Sequence, residues 1–129
     1  MLANDLTLDK QDGTDVVYKL VKTDGTGSQR IDPTTTLSTP KLMTIRHSTS
    51  GKGADAVDRH LVSFSQTVAG SLAPRTTTVN VTIASPRDVA VTQQMIRDLI
   101  VNAIDFLSDG AIASQATTAN IDAILRGES

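Results

Sequence analysis

The chain has 129 residues, with 12 Lys and Arg against 14 Asp and Glu for a formal net charge of −2, and no Cys. This length sets a single domain with a modest core, over residues 1–129. The missing thiols exclude disulfides, thiolate metal sites and cysteine nucleophiles, and no apolar run reaches the ~18–20 residues of a membrane span. With two Phe, one Tyr and no Trp, packing falls to aliphatic side chains, and added burial through oligomerisation is expected.

The opening residues, MLANDLTLDK, have neither a basic lead-in nor an apolar run, so they do not read as a signal peptide. The expectation is a protein made and used in a cytosol. Leu6-Thr7-Leu8 alternates as a short strand, and Asp12-Gly13 marks a tight turn. Val16 to Lys22 is a strand of mixed alternation, followed by a turn over Thr23 to Gly27. Ser28 to Pro40 is weaker, because Pro33 and Pro40 demote it to an edge or irregular strand.

Two clear strands follow. In Leu42–Ser48, Met43 and Ile45 are apolar, while Thr44, Arg46 and Ser48 take the other face. In Arg59–Ser65, Val62 and Phe64 are apolar; Arg59, Ser63 and Ser65 oppose them, with Leu61 as the exception. Ser50 to Ala56 reads as a flexible, Gly-containing link, and Ala69 to Arg75 as the next connection. In Thr76–Ser85, Val79, Val81 and Ile83 share one side; Thr78, Asn80 and Thr82 share the other. Short links between successive strands predict an antiparallel meander with one dry and one wet face.

The period then changes. Thr92 is a plausible N-cap. Met95, Ile96, Leu99, Ile100, Ala103, Ile104 and Leu107 recur at helical spacing, and Asp109-Gly110 ends the helix. A short second helix covers Thr118 to Leu125. Strands over 1–85 followed by helices over 86–129 give an α+β fold, with the helices gathered on one sheet face.

Charge is unevenly distributed along the chain. Residues 1–40 carry four basic and six acidic groups, 41–87 six basic and two acidic, and 88–129 two basic and six acidic. A basic middle and an acidic end predict a surface facing a polyanion, backed by an acidic one, against the plainer reading of ordinary surface scatter.

An enzyme reading finds little support. His47 and His60 both fall in the apolar phase of their strands. They read as a satisfied, partly buried pair rather than a metal or pH-sensing site, and two His make a weak metal site. Gly51-Lys52-Gly53 lacks the spacing of a phosphate loop. The sequon at Asn80-Val81-Thr82 lies inside a strand and is read as chance. Asp98 and Asp105 mark the solvated side of the helix. The surviving signal is the wet sheet face, whose hydroxyls, amide and guanidiniums suit phosphates, riboses and base edges. It has no aromatic for stacking, and Thr-rich strands also occur as plain solvent faces.

In the order and length of its elements, the chain resembles the coat proteins of single-stranded RNA bacteriophages. The local likenesses are LMTIRHSTS (42–50), DRHLVSFSQTV (58–68), TTTVNVTIASP (76–86) and MIRDLIVNAIDFLSDGAIASQATTANIDAIL (95–125). The resemblance implies an N-terminal hairpin, a five-stranded meander and two C-terminal helices, built into an intertwined homodimer with one continuous sheet. It implies no enzyme activity, cofactor, metal, membrane or small-molecule partner. The partners are other copies, which close an icosahedral shell, and viral single-stranded RNA. The locations are the virion capsid and, during assembly, the host bacterial cytoplasm.

By strand position, the resemblance places Thr44, Arg46, Ser48, Arg59, Leu61, Ser63, Thr78, Asn80 and Thr82 on the RNA face. Met95, Ile96, Leu99, Ile100, Ala103, Ile104 and Leu107 fall in the dimer interface. The loop of Ala69, Gly70, Ser71, Leu72, Ala73, Pro74 and Arg75 falls at the shell's symmetry axes, where Gly70 eases adaptation to different neighbours. Leu61 stands in place of a polar residue, Ser63 where Lys is common, and Thr78 where Tyr can stack. These departures weigh against recognition of a genomic hairpin as a translational repressor, and leave packaging by charge and hydroxyls. The alternative is a dimeric β-sheet module that binds RNA or protein without forming a shell.

Overall fold

The computed structural model describes residues 2–108 and 119–128. Six strands, β1 (Leu6–Asp9), β2 (Asp15–Asp24), β3 (Gly27–Ile31), β4 (Lys41–Ser50), β5 (Val57–Val68) and β6 (Arg75–Pro86), form one sheet in chain order. The expected N-terminal hairpin is thus part of the sheet, which has six strands rather than five. Two helices follow, α1 (Gln93–Leu107) and α2 (Ala119–Leu125). The predicted helix stop at Asp109-Gly110 and start at Thr118 lie outside the described residues. The chain divides into two compact units, one of residues 1–8 and 16–88 and one of residues 9–15 and 89–129.

β3 is an internal strand between β2 and β4, not the edge strand that its two prolines suggested. The strand stops at Ile31, so neither Pro33 nor Pro40 interrupts a hydrogen-bonded ladder. The residues beyond it turn instead: Asp32 accepts from the Thr34 backbone N–H at 2.9 Å and the Thr34 hydroxyl at 2.7 Å, the local bonding that favours Asp before a turn. Gly27 is fixed by close approach, because a Cβ there would run into the backbone carbonyl oxygen of Ile45. The link over residues 51–56 includes a 3-10 turn at Gly53–Asp55 that ends at buried Ala56.

The mixed alternation of β2 has a simple cause. Lys19 pairs with Ile31 and Leu20 with Arg30, but Lys22 pairs with Gln29, so Val21 is an extra residue on its strand. This is a β-bulge, and it reverses the in/out phase of every residue after it.

The core lies on one sheet face. Val16 and Tyr18 of β2 meet Met43 and Ile45 of β4, with Leu6, Leu8, Val62 and Phe64 packed against them. The Tyr18 and Phe64 rings meet edge to face, with centroids 5.9 Å apart, a favoured aromatic geometry. On the same face of β6, Val79 and Val81 remain 61% and 46% exposed. Arg30 shares this face by register and is only 3% exposed. Its guanidinium donates to the backbone oxygens of Asn4 (3.0 Å) and Ala3 (2.8 Å) and to the Ser28 hydroxyl (2.8 Å). With each of its three nitrogens engaged, burial of this cation is tolerable.

α1 starts as its sequence predicts, with the Thr92 hydroxyl accepting from the Met95 N–H at 3.2 Å. In the same unit, the Asn120 amide donates to the Phe106 carbonyl oxygen at 2.7 Å. No residue of α1 is buried.

Candidate nucleic-acid interface

Register carries the polar face across the sheet row by row, because residues paired across strands share a face. Thr44 pairs with Ser63, and Ser63 with Asn80; Arg46 pairs with Leu61, and Leu61 with Thr82. Ser48 pairs with Arg59, and Ser65 with Thr78. All nine positions predicted for the RNA face therefore lie on one side of β4–β6. Arg59, Ser48, Thr78, Asn80 and Thr82 are exposed, while Thr44, Arg46, Leu61 and Ser63 are half-buried.

The basic middle of the chain is less concentrated on this face than its sequence suggests. Lys41 pairs with Gln66, and Arg75 with Val68, both in the phase of the apolar side. Arg87 is taken up by Asp58, donating to its two carboxylate oxygens at 2.9 and 2.8 Å, while the Thr49 hydroxyl donates to the same group at 2.7 Å. These bonds, Arg87 first, hold the Asp58 carboxyl down at about 2, and the Arg87 guanidinium is pushed up in return. Lys52 lies in the link between β4 and β5, and Arg46 and Arg59 are the two that strand register places on the polar face.

Those two differ. Arg46 donates to Asp24 at 3.2 Å. The Thr26 hydroxyl and backbone N–H, and then Arg46, hold the Asp24 carboxyl at about 2. Arg59 donates to the Ser50 hydroxyl at 3.4 Å, a neutral partner that leaves its charge available. Reading the strands one at a time missed the contribution of β2 and β3: Gln29 extends the Thr44 row and pairs with Lys22. Alternation alone could not place Lys22 without the bulge.

His47 and His60 are direct cross-strand partners with Nδ1 atoms 2.9 Å apart. One ring donates and the other accepts. His60 is half-buried, but His47 is exposed, so the pair is less enclosed than its sequence phase suggests. Among the described residues, no three metal-ligating side chains gather.

The helix stripe and the loop are also placed. Ile96 and Ile100 are half-buried, and Met95, Leu99, Ala103, Ile104 and Leu107 are exposed. Phe106, outside the predicted stripe, is exposed as well. In the loop between β5 and β6, Leu72 is almost fully exposed. Gly70 is required for tight closure of this loop, since a Cβ would strike the Ala73 carbonyl oxygen.

The family model for the phage phiCb5 coat protein matches residues 3–86, the whole of the sheet. The chain belongs to this coat-protein family. It is a coat protein of the single-stranded RNA bacteriophage kind. Among solved structures, the bacteriophage EMS014 coat protein superposes with a TM-score of 0.73 at 10% identity, covering 99% of this coat protein and 98% of that chain. The virus-like particle of bacteriophage ESE020 gives 0.70 at 15% identity, covering 100% and 99%. That of Beihai levi-like virus 21 gives 0.66 at 12% identity, covering 100% and 97%. At these identities the likeness establishes the fold. No curated protein sequence matches the coat protein.

Proposed function

We propose that this coat protein, acting as a single domain over residues 1–129, forms a homodimer and that its dimers close into an icosahedral shell around single-stranded RNA. The observation that carries the RNA reading is the continuous polar face, with Thr44, Ser63 and Asn80 in one row and Arg46 and Arg59 beside it. Hydroxyls and an amide suit riboses and base edges, and guanidiniums suit phosphates. Charge and hydroxyls suffice for sequence-independent capture of the backbone, without an aromatic platform.

Dimer formation is supported by two features that a lone chain leaves unfinished. Among the described residues, β6 has a neighbouring strand on one side only, so the outward N–H and C=O groups of a 12-residue strand await pairing. The apolar stripe of α1 has no buried residue. A second copy answers both, with two β6 strands joining the sheets and each α1 covering its partner. The shell then forms by repetition of identical patches under symmetry, with the 69–75 loop at the axes. The protein needs no cofactor and catalyses nothing.

The test is expression in bacteria without other phage components, followed by negative-stain microscopy and the 260/280 nm absorbance ratio of the purified material. Closed uniform particles with a nucleic-acid spectrum are expected. Particles free of RNA would overturn the RNA reading. Dimers that never close, even at low salt and high concentration, would overturn the shell and leave a dimeric binding module.

A further inference from the structure

The bulge in β2 does something that regular alternation forbids. Residues three apart on a strand lie on opposite faces. Lys19 and Lys22 would therefore be split between the two sides of the sheet. The extra residue, Val21, restores them to one side: Lys19 pairs with Ile31, which pairs in turn with Leu42, and Lys22 pairs with Gln29, which pairs in turn with Thr44. Both lysines thus stand on the polar face that continues into β4–β6. Both are exposed, and among the described residues no carboxylate lies within ion-pair distance of either.

We infer that Lys19 and Lys22 form a phosphodiester-binding strip extending the RNA face across β2, an inference that rests on the RNA reading proposed above. The need for such a strip is visible on the neighbouring strands. Arg46 is held by Asp24, which leaves Arg59 as the cation of β4–β6 on this face without a carboxylate partner. One guanidinium makes a poor polyanion surface. Two lysines, as flexible point charges, suit a backbone met in no fixed register. The Lys22–Gln29–Thr44 row joins Lys22 directly to the hydroxyl-bearing rows, and the row of Lys19 reaches Ser65 through Ile31 and Leu42. The face then carries its positive charge at two places, Arg59 on β5 and the lysine strip on β2, with neutral donors between.

The test uses full-length protein freed of packaged RNA and a fluorescein-labelled 20-nucleotide oligouridylate, read by anisotropy across a salt series. For single strands, the slope of log K against log salt changes by about 0.7 for each phosphate neutralised. K19Q/K22Q should flatten the slope by about 1.4, and R59Q by about 0.7. K22T/T23K keeps the net charge but moves a lysine to the opposite face, and should flatten the slope by about 0.7. If R59Q flattens the slope while K19Q/K22Q matches wild type, the lysine strip is refuted and the RNA face stands. If K22T/T23K matches wild type, placement by the bulge is irrelevant and the proposal falls. If wild type shows no salt-dependent binding, the RNA reading itself fails.

Discussion

Replacing Leu99 by alanine should leave the chain folded and weaken the proposed dimer. Leu99 is 69% exposed in the isolated chain, so trimming it removes little from that chain's own packing, and alanine is the better helix former. In the proposed dimer the same side chain is covered. Full burial of a leucine contributes about 1.5–3 kcal/mol, and the still-exposed share amounts to about 1–2 kcal/mol per copy. Each dimer holds two copies, for about 2–4 kcal/mol, which weakens the dissociation constant by about 30- to 800-fold. Sedimentation equilibrium on wild type and L99A reads this directly, and far-UV circular dichroism checks that the helix persists. Asn102→Ala, on the same helix outside the apolar stripe, should leave the constant unchanged. An L99A constant within threefold of wild type would refute the view that this stripe is the dimer's contact surface.

Asp24→Asn removes the carboxylate that holds Arg46, so RNA binding should tighten and its salt slope should steepen by about 0.7; an unchanged slope would mean that Arg46 does not reach the ligand. Asp58 ionises at about 2 in the folded protein against an ordinary value of 3.8. A depressed carboxyl contributes stability that is complete above the unfolded value and is lost as pH falls through the folded one. Urea midpoints should thus drop between about pH 4 and 2, and D58N should flatten that part of the profile. Gly27→Ala should destabilise the sheet by about 1–3 kcal/mol through overpacking against the Ile45 carbonyl, seen as a lower urea midpoint with circular dichroism as the probe.

Much of the architecture is written locally. The apolar phase of Met43 and Ile45, of Val62 and Phe64, and of Val79 and Val81 fixed three strands and their facing, since the period of a strand is two and each run kept it. Thr92 and the stripe that follows marked α1 correctly because capping and helical spacing are both short-range signals. The polar face was legible for the same reason. What escaped depends on neighbours. A bulge adds one residue with no sequence signature of its own, so β2 looked merely irregular and its lysines went unplaced. Pro33 suggested an edge, but an edge is a property of the whole sheet, and β3 ends two residues before it. Charge counting could not foresee that Arg87 would be taken by Asp58 or Arg46 by Asp24, because those pairs are 29 and 22 residues apart in sequence.

Arg30 fastens the N-terminal segment to the sheet without using any group that titrates. Its acceptors are two peptide carbonyls and a hydroxyl, and its own charge persists to very high pH. Acid that protonates Asp24 and Asp58 therefore loosens the turn after β2 and the exit from β6 while leaving this fastening intact. Hydrogen exchange followed down an acid titration should lose protection at those two places first, with Arg30 and the first residues of the chain released only when the sheet itself unfolds. Loss of protection at Arg30 before Asp24 and Asp58 are protonated would contradict that order. A coat protein that yields in this order loosens those two connections in acid while Arg30 of β3 still holds the carbonyls of Ala3 and Asn4.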